Sequence, residues 1–151
     1  MTIRPVSVII CTHNRAELLP NLISQLRHQD YPAGAYEIVV VDNRSTDATP
    51  EVVARLAAEP GASVRYIAEP EFGITRVRNR GAREARFAYL AYVDDDCTVA
   101  ADWLSHLMHG FDLGERVMAV AGPIVLQWNQ PRPDWVCPEM KPWLADTGAL
   151  G

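Results

Sequence analysis

The segment Phe87-Ala-Tyr-Leu-Ala-Tyr-Val-Asp-Asp-Asp96 is the most informative part of this chain, because a strand-forming run leads directly into three carboxylates. Its apolar and aromatic half predicts a buried β-strand. Three adjacent negative charges repel one another unless a cation or hydrogen-bond donors offset them. The carboxyl end of a buried strand is also where open α/β sheets bind ligands.

The three aspartates allow two interpretations. The simpler one is an acidic turn that caps the next helix. Oxygen ligands, however, suit Mg²⁺ or Mn²⁺, and Mg²⁺ is often held by one or two carboxylates together with substrate phosphates. The strand that precedes the aspartates favours this second interpretation, a metal and phosphate site.

The rest of the chain predicts strands that alternate with helices. Short β-branched runs predict further strands at residues 6–11, 37–42, 64–67 and 117–125. Helical periodicity predicts helices at residues 18–26 and 74–85, one with Thr49 as N-cap and Pro50 as first helical residue, and one that opens at Asp102. The alternation predicts the α/β class, with a Rossmann-like, mainly parallel sheet flanked by helices.

The composition excludes several classes of protein. A chain of 151 residues is long enough for one domain with a sizeable core, and its net charge of −5 argues against nucleic acid as a partner. Three scattered cysteines exclude a disulfide framework and predict reduced thiols in a cytoplasmic protein, with Cys11 and Cys97 buried and inert. The N-terminus lacks a signal-peptide pattern, and no apolar run is long enough to form a transmembrane segment. The inner face of a membrane is the alternative location.

Polar residues follow the first two predicted strands. Thr12, His13 and Asn14 come after the first, where His13 would stack on or hydrogen-bond a base. These three residues would equally serve as caps of the following helix. Asp42 ends the second strand, where it would accept a hydrogen bond from a ribose or base N–H, or cap the turn at Ser45. The first strand is not followed by G-x-G-x-x-G, which argues against a dinucleotide site.

The segment from Gly73 to Gly81 combines glycine with guanidinium groups near a predicted helix N-terminus. Because the arginine fork matches phosphate geometry, Arg78 and Asn79 are the predicted functional pair, with Arg76 a weaker candidate. A solvated basic helix face accounts for the remaining arginines, Arg80, Arg83 and Arg86.

Four segments in order resemble the family 2 glycosyltransferases, inverting enzymes with the GT-A fold. Val77 stands where the family usually has alanine, and the resemblance covers most of the chain. Each motif alone is weak, but the four together are specific. They are the opening strand with Thr12-His-Asn-Arg15, the second strand with Asp42-Asn-Arg-Ser-Thr-Asp47, the Gly73 to Gly81 segment, and Tyr92-Val-Asp-Asp-Asp-Cys97 with the helix after it.

The resemblance implies roles for the matched positions. His13 stands where the family commonly has a tyrosine against the base, Asp42 would hydrogen-bond the base, and Arg78 would lie near the nucleotide. Asp94 and Asp96 would be the outer aspartates of D-x-D and would hold a divalent metal, Mn²⁺ or Mg²⁺. Of the two, Asp96 is the one expected to coordinate the metal directly. The nucleotide-binding residues so implied are Thr12, His13, Asn14, Asp42, Gly73, Arg78, Asn79, Asp94 and Asp95.

The resemblance also implies a substrate class. The donor would be a nucleoside-diphosphate sugar, with UDP favoured and GDP or dTDP as alternatives. The acceptor would be a polysaccharide, a lipid-linked glycan or a protein. Residues 1–126 would form the nucleotide-sugar-binding α/β domain, and residues 127–151 a Pro/Trp-rich loop or arm on the acceptor side.

The chain departs from the family at its end. The catalytic base usually lies in a downstream Glu-Asp segment after a Gly-rich stretch, and the chain ends at Gly151 before either. The sequence therefore predicts a fold that is incomplete at the C-terminus, and it assigns no catalytic residue. Two alternatives stay open: a non-catalytic nucleotide-binding or assembly module whose catalytic half is missing or supplied by another chain, and a phosphotransfer domain that uses Asp94.

Overall fold

The computed structural model describes residues 2–128, 130–131, 133–137 and 140. Four parallel strands, β1 Val6–Thr12, β2 Tyr36–Asp42, β3 Ser63–Ala68 and β4 Tyr89–Asp94, form one sheet in the order β3-β2-β1-β4. The register pairs Cys11 of β1 with Val41 of β2 on one side and with Asp94 of β4 on the other. The predicted α/β class with a mainly parallel sheet is confirmed.

Helices cover both faces of the sheet, and they are α1 Leu19–Arg27, α2 Thr49–Ala57, α3 Ile74–Glu84 and α4 Trp103–Gly110. Helices α1, α2 and α4 contribute to the larger core, which also contains Val8, Ile10 and Val40. Helix α3 packs on the opposite face, where Val77 joins Ile9 and other β-branched strand residues. Because both faces are covered, β1 and β2 are almost continuously buried and apolar. Short 3₁₀ turns lie at Ala33–Ala35 and Phe111–Leu113.

Helix α3 approaches the sheet closely at Gly81, which is buried. A Cβ placed on Gly81 would lie 2.5 Å from Cγ2 of Ile9 and 3.3 Å from Cγ2 of Val41. Both atoms belong to β-branched side chains on strands, so neither can move away cheaply. Glycine at this position therefore sets how near α3, and with it Arg78, comes to the ends of the strands.

Two details of the predicted elements are wrong. Residues 117–128 contain neither strand nor helix, and the side chain of Met118 is 88% exposed. A strand needs a neighbour for its backbone groups, and β-branched composition alone does not supply one. Helix α2 begins at Thr49, so the N-cap position falls on Ala48, and the cap comes from Asp47, whose Oδ1 accepts a 3.0 Å hydrogen bond from the Thr49 backbone N–H.

Two predictions extend past the well-described region. Residues 129, 132, 138–139 and 141–151 lie outside the described residues, so the predicted arm at 127–151 and its boundary at residue 126 stay predictions. In the part of the chain that is described, none of the helices is both long and apolar enough to span a membrane.

Candidate functional site

The predicted site residues lie along one edge of the sheet. The strands are parallel, so their carboxyl ends meet there. Thr12, Asp42 and Asp94 each end a strand at this edge, and the N-terminus of α3 at Ile74 follows the loop after β3. The fold thus brings together residues that come from four separate segments of the chain.

Asp94 is the carboxylate nearest to Arg78. It is exposed and lies on the same side of β4 as Tyr92, two residues earlier. Nη2 of Arg78 lies 3.7 Å from Oδ1 of Asp94, and the Tyr92 hydroxyl donates a 3.0 Å hydrogen bond to the Arg78 carbonyl. An exposed pair at this distance contributes little to stability. The Arg78 guanidinium is therefore accessible to a further anion.

Asp95 is held differently from its neighbours. The Thr12 hydroxyl donates a 2.7 Å hydrogen bond to Oδ2 of Asp95, which is half-buried. Burial raises the pKa of the Asp95 carboxyl above its usual value, while the Thr12 bond and the charge of Arg15 oppose the shift and the two flanking aspartates add to it. Asp96, like Asp94, is exposed. The outer carboxylates are thus open to solvent and the middle one is engaged.

The open carboxylates fit a metal ion that is shared with a ligand. Among the residues that the structure describes, no cluster of three or more His, Cys, Asp or Glu side chains could hold a metal ion by itself. Asp94 and Asp96 are exposed and can offer oxygen ligands, which Mg²⁺ and Mn²⁺ prefer. An ion held by these two carboxylates would complete its coordination with water or with oxygens of a bound ligand.

Asp42 is committed to protein contacts. Its side chain is only 2% exposed, and Oδ1 accepts hydrogen bonds from the backbone N–H of Ser45 at 2.9 Å and from the Ser45 hydroxyl at 2.5 Å. Oδ2 accepts a 2.7 Å hydrogen bond from the hydroxyl of Tyr66. Burial, followed by this bond, raises the pKa of Tyr66. The structure thus gives Asp42 the turn-capping role, and its contact with a base stays a prediction.

His13 and Asn14 fix the loop after β1 to the loop after β2. Nδ1 of His13 lies 2.7 Å from the carbonyl oxygen of Asn43. Asn14, with a φ of 53°, accepts a 2.7 Å hydrogen bond at Oδ1 from the backbone N–H of Thr46. Helix α1 has Leu18 at its N-cap and no side-chain cap. The prediction that Asn14 caps that helix is therefore wrong, because its side chain bonds the neighbouring loop instead.

The basic residues in α3 and just after it are largely paired with carboxylates. Their partners are close: Arg76 lies 2.5 Å from Glu71, Arg80 lies 2.9 Å from Glu84, and Arg86 lies 3.7 Å from Glu37. Arg80 and Arg86 are thus engaged by carboxylates, whereas Arg78 faces Asp94. Asn79 is exposed, and its side chain has no hydrogen-bond partner among the described residues.

Two residues at the site have no motif to mark them. Phe72 contacts His13 edge to face, with ring centroids 5.3 Å apart. Asn43 bonds both the His13 loop and the loop that carries Phe72. A single aromatic or asparagine in a loop looks ordinary in sequence, and only the distance between two loops shows that they meet.

The two cysteines after strands differ from each other. Cys11 is partly buried, and burial raises the pKa of its thiol to about 11, with Arg78 opposing. Cys97 is exposed, so the prediction that it is buried is wrong. Its thiol nevertheless has a raised pKa, first because of partial desolvation and then because of the nearby aspartates Asp94 and Asp96.

A known protein family matches this chain over most of its length. The model of glycosyl transferase family 2 matches residues 7–142. Glycosyltransferase AglE of Haloferax volcanii is 34% identical over 99 residues, which is 66% of this chain and 33% of AglE. The succinoglycan biosynthesis protein ExoM of Rhizobium meliloti is 29% identical over 132 residues, 87% of this chain and 42% of ExoM. The chain belongs to glycosyl transferase family 2.

Solved structures agree with this assignment. The mannosyltransferase PcManGT from Pyrobaculum calidifontis, in complex with GDP-Man and Mn²⁺, superposes with a TM-score of 0.69 at 32% identity, over 74% of this chain and 33% of that one. The S. aureus TarS fragment 1-349 in complex with UDP has a TM-score of 0.64 at 26% identity, over 72% of this chain and 32% of that one. The predicted GT-A-type fold is confirmed, and the chain spans about a third of these relatives.

Proposed function

We propose that this chain is the nucleotide-sugar-binding part of a glycosyltransferase that moves a sugar from a nucleoside diphosphate to an acceptor with inversion. The observation that carries the proposal is the pair of open carboxylates, Asp94 and Asp96, beside the accessible guanidinium of Arg78 at the ligand-binding edge of the sheet. Family membership supports it. The complexes of PcManGT with GDP-Man and Mn²⁺, and of TarS with UDP and UDP-GlcNAc, support it too.

The site residues would share the work of holding the diphosphate. Asp94 and Asp96 would hold a divalent cation, Mn²⁺ or Mg²⁺. When bound, that ion neutralises the negative charge that builds on the leaving diphosphate. The guanidinium of Arg78 would bind a phosphate oxygen with its fork of donors. The Thr12 bond to Asp95 keeps the middle carboxylate turned inward and so leaves the outer two for the ligand.

The remaining positions would contact the nucleoside. His13 is exposed in the loop after β1 and would lie against the base. Asn79, one turn into α3, and the backbone at Gly73 would approach the ribose or phosphates. UDP stays the favoured nucleotide, with GDP and dTDP as alternatives. We assign the general base to no residue of this chain, and the acceptor is a polysaccharide, a lipid-linked glycan or a protein. The cytoplasmic location is part of the proposal.

Ligand-induced stabilisation tests the proposal. Melting temperature is measured with UDP, GDP or dTDP, each with Mn²⁺ or Mg²⁺. Binding at 100 times Kd adds about 2.7 kcal/mol, which raises the melting temperature of a chain of this size by about 5–10 °C. Asp96→Asn should remove most of this rise. Asp30→Asn, an exposed carboxylate before β2 at the other end of the sheet, is the matched control and should keep it. The absence of a shift with every nucleotide and metal overturns the proposal.

A further inference from the structure

An aromatic corner lies at the mouth of the proposed nucleotide site. The rings of His13 and Phe72 meet at 86°, with centroids 5.3 Å apart. They come from different loops, one after β1 and the other after β3. The Phe72 side chain is 66% exposed, so burial in the core does not explain its position. A corner of two rings can receive the flat face of a third.

Asn43 holds the two sides of this corner in place. It is 6% exposed, and its side chain reaches the residues on both sides of Phe72. Nδ2 donates a 2.8 Å hydrogen bond to the carbonyl of Glu71, and Oδ1 accepts one of 2.8 Å from the backbone N–H of Gly73. The Asn43 carbonyl accepts the 2.7 Å bond from His13. One buried side chain and its own backbone thus fix both rings.

The hydrogen bonds of His13 determine what its ring can offer. A carbonyl oxygen only accepts, so the bond to Asn43 places the proton on Nδ1. Nε2 then accepts a 3.2 Å hydrogen bond from Nδ2 of Asn14. The Asn14 amide keeps this orientation because its Oδ1 accepts from the Thr46 N–H. Both ring nitrogens are therefore used within the protein, and only the ring faces remain for a ligand.

We infer that Phe72 contacts the nucleotide base as the second wall of this corner, and that Asn43 is the positioning residue that sets Phe72 against His13. This inference rests on the proposed function. The corner would hold a base by stacking and would form no hydrogen bond with it. Both nitrogens of His13 already have partners within the protein, and the Phe72 ring has no donor or acceptor. Stacking tolerates any base, since every base has a π face. The corner therefore supplies affinity for a nucleoside and not a choice between bases.

Direct binding measurements with and without a base test the inference. Calorimetric titration in Mn²⁺ compares UDP and GDP with inorganic pyrophosphate, which lacks a base. Phe72→Ala should lower the affinity for UDP and for GDP by about 5- to 150-fold, with similar factors for both nucleotides. The affinity for pyrophosphate should not change. Phe72→Tyr should retain the binding. Leu113→Ala, which also truncates a strongly exposed apolar residue, is the matched control and should change nothing.

A double-mutant cycle tests the positioning role of Asn43. Asn43→Ala should weaken UDP binding but not pyrophosphate binding. In the Phe72→Ala background the same substitution should have little further effect on UDP, because the wall it positions is gone. A merely structural role predicts additive losses that affect pyrophosphate equally.

The outcomes separate the two proposals. If the wild-type chain binds neither UDP, GDP nor pyrophosphate with Mn²⁺, the proposed function fails. If it binds the nucleotides and Phe72→Ala binds them equally well, the aromatic corner fails while the proposed function stands. A loss confined to UDP or to GDP contradicts recognition by stacking alone.

Discussion

The hydroxyl of Thr12 donates a 2.7 Å hydrogen bond to the carboxylate of Asp95, and this contact joins the end of β1 to the turn after β4. It also separates the three aspartates into one that faces the protein and two that face solvent. The middle carboxylate is half-buried, and burial raises its pKa, whereas the Thr12 donor favours its ionised form.

Thr12→Val should therefore destabilise the chain by about 1–2 kcal/mol at pH 7, less than for a fully buried charge because Asp95 keeps some solvent. The pKa of Asp95 in the folded chain should rise further above its unfolded value when the hydroxyl is lost. Since the hydroxyl stabilises the ionised form, the wild-type advantage is present above the folded pKa of Asp95 and shrinks as pH falls through that pKa, which lies above the unfolded value of about 3.9. Urea denaturation from pH 7 to 3 measures this, with Thr12→Ser as control. An advantage that stays constant with pH contradicts the prediction.

Glu37 lies at the other end of the sheet, and its pKa is shifted in the opposite direction to that of Asp95. Its side chain is 2% exposed, and burial alone would raise the pKa of its carboxyl. Hydrogen bonds from Arg65 and Ser7 and from the backbone N–H of Arg86 outweigh burial and hold the pKa below its usual value. A lowered pKa contributes stability that is present above the unfolded value, about 4.3, and is lost as pH falls through the folded value.

Glu37→Gln should therefore cost about 3–5 kcal/mol at pH 7, because Arg65 loses its buried partner. The variant should also lose less stability than the wild type when pH falls from about 5 to 3. Denaturant midpoints across this range measure both effects. Glu71→Gln, which removes an exposed carboxylate paired with the equally exposed Arg76, is the control and should stay within about 0.5 kcal/mol. If the wild type and Glu37→Gln lose the same stability between about pH 5 and pH 3, the prediction is contradicted.

Gly81→Ala should destabilise the chain by about 1–3 kcal/mol, since the added methyl group would lie 2.5 Å from Ile9. The better helix propensity of alanine offsets about 1 kcal/mol of the clash. If α3 moves outward, Arg78 moves away from Asp94, so nucleotide affinity should fall as well. Gly34→Ala, where no atom lies within 4 Å of the added Cβ, is the matched control for thermal unfolding and binding. Equal stability of the two variants would show that α3 can shift without cost.

The cysteines should differ in reactivity. With a pKa of about 11, the Cys11 thiol is ionised to about one part in a thousand at pH 8, and it is also partly buried. Cys97 is exposed and should be alkylated by iodoacetamide well before Cys11 in the native chain. Mass spectrometry of peptides over a time course measures the order, and in urea the difference should vanish. Faster labelling of Cys11 than of Cys97 would contradict the partly buried position of Cys11.

Much of the fold could be predicted from local sequence. The four strands and four helices follow from apolar periodicity within short windows, and the parallel sheet follows from their alternation. The strand predicted at residues 117–125 is absent from the structure, because a strand depends on a neighbouring strand as well as on its own composition. The gathering of Thr12, Asp42 and Asp94 at one edge follows from the topology of parallel strands.

The contacts between loops could not be predicted in the same way. Asn14 bonds Thr46, which is 32 residues away, and Asn43 bonds Glu71, 28 residues away. Such contacts depend on how two loops leave the sheet, which no local pattern encodes. For the same reason the contact of Asp42 with Tyr66, 24 residues away, could not be predicted, whereas its contact with Ser45 is local.

The pairing of β1 with β4 has a consequence for the order of folding. Thr12 and Asp95 are 83 residues apart in the chain, whereas β1 and β2 are joined by a short helical connection. Contacts of long sequence separation close large loops and slow the folding of the chains that depend on them. We expect the part of the site that contains Asp94, Asp95 and Asp96 to form last. The rate at which refolding chains regain nucleotide binding should therefore report completion of the sheet and lag behind the early gain of helix.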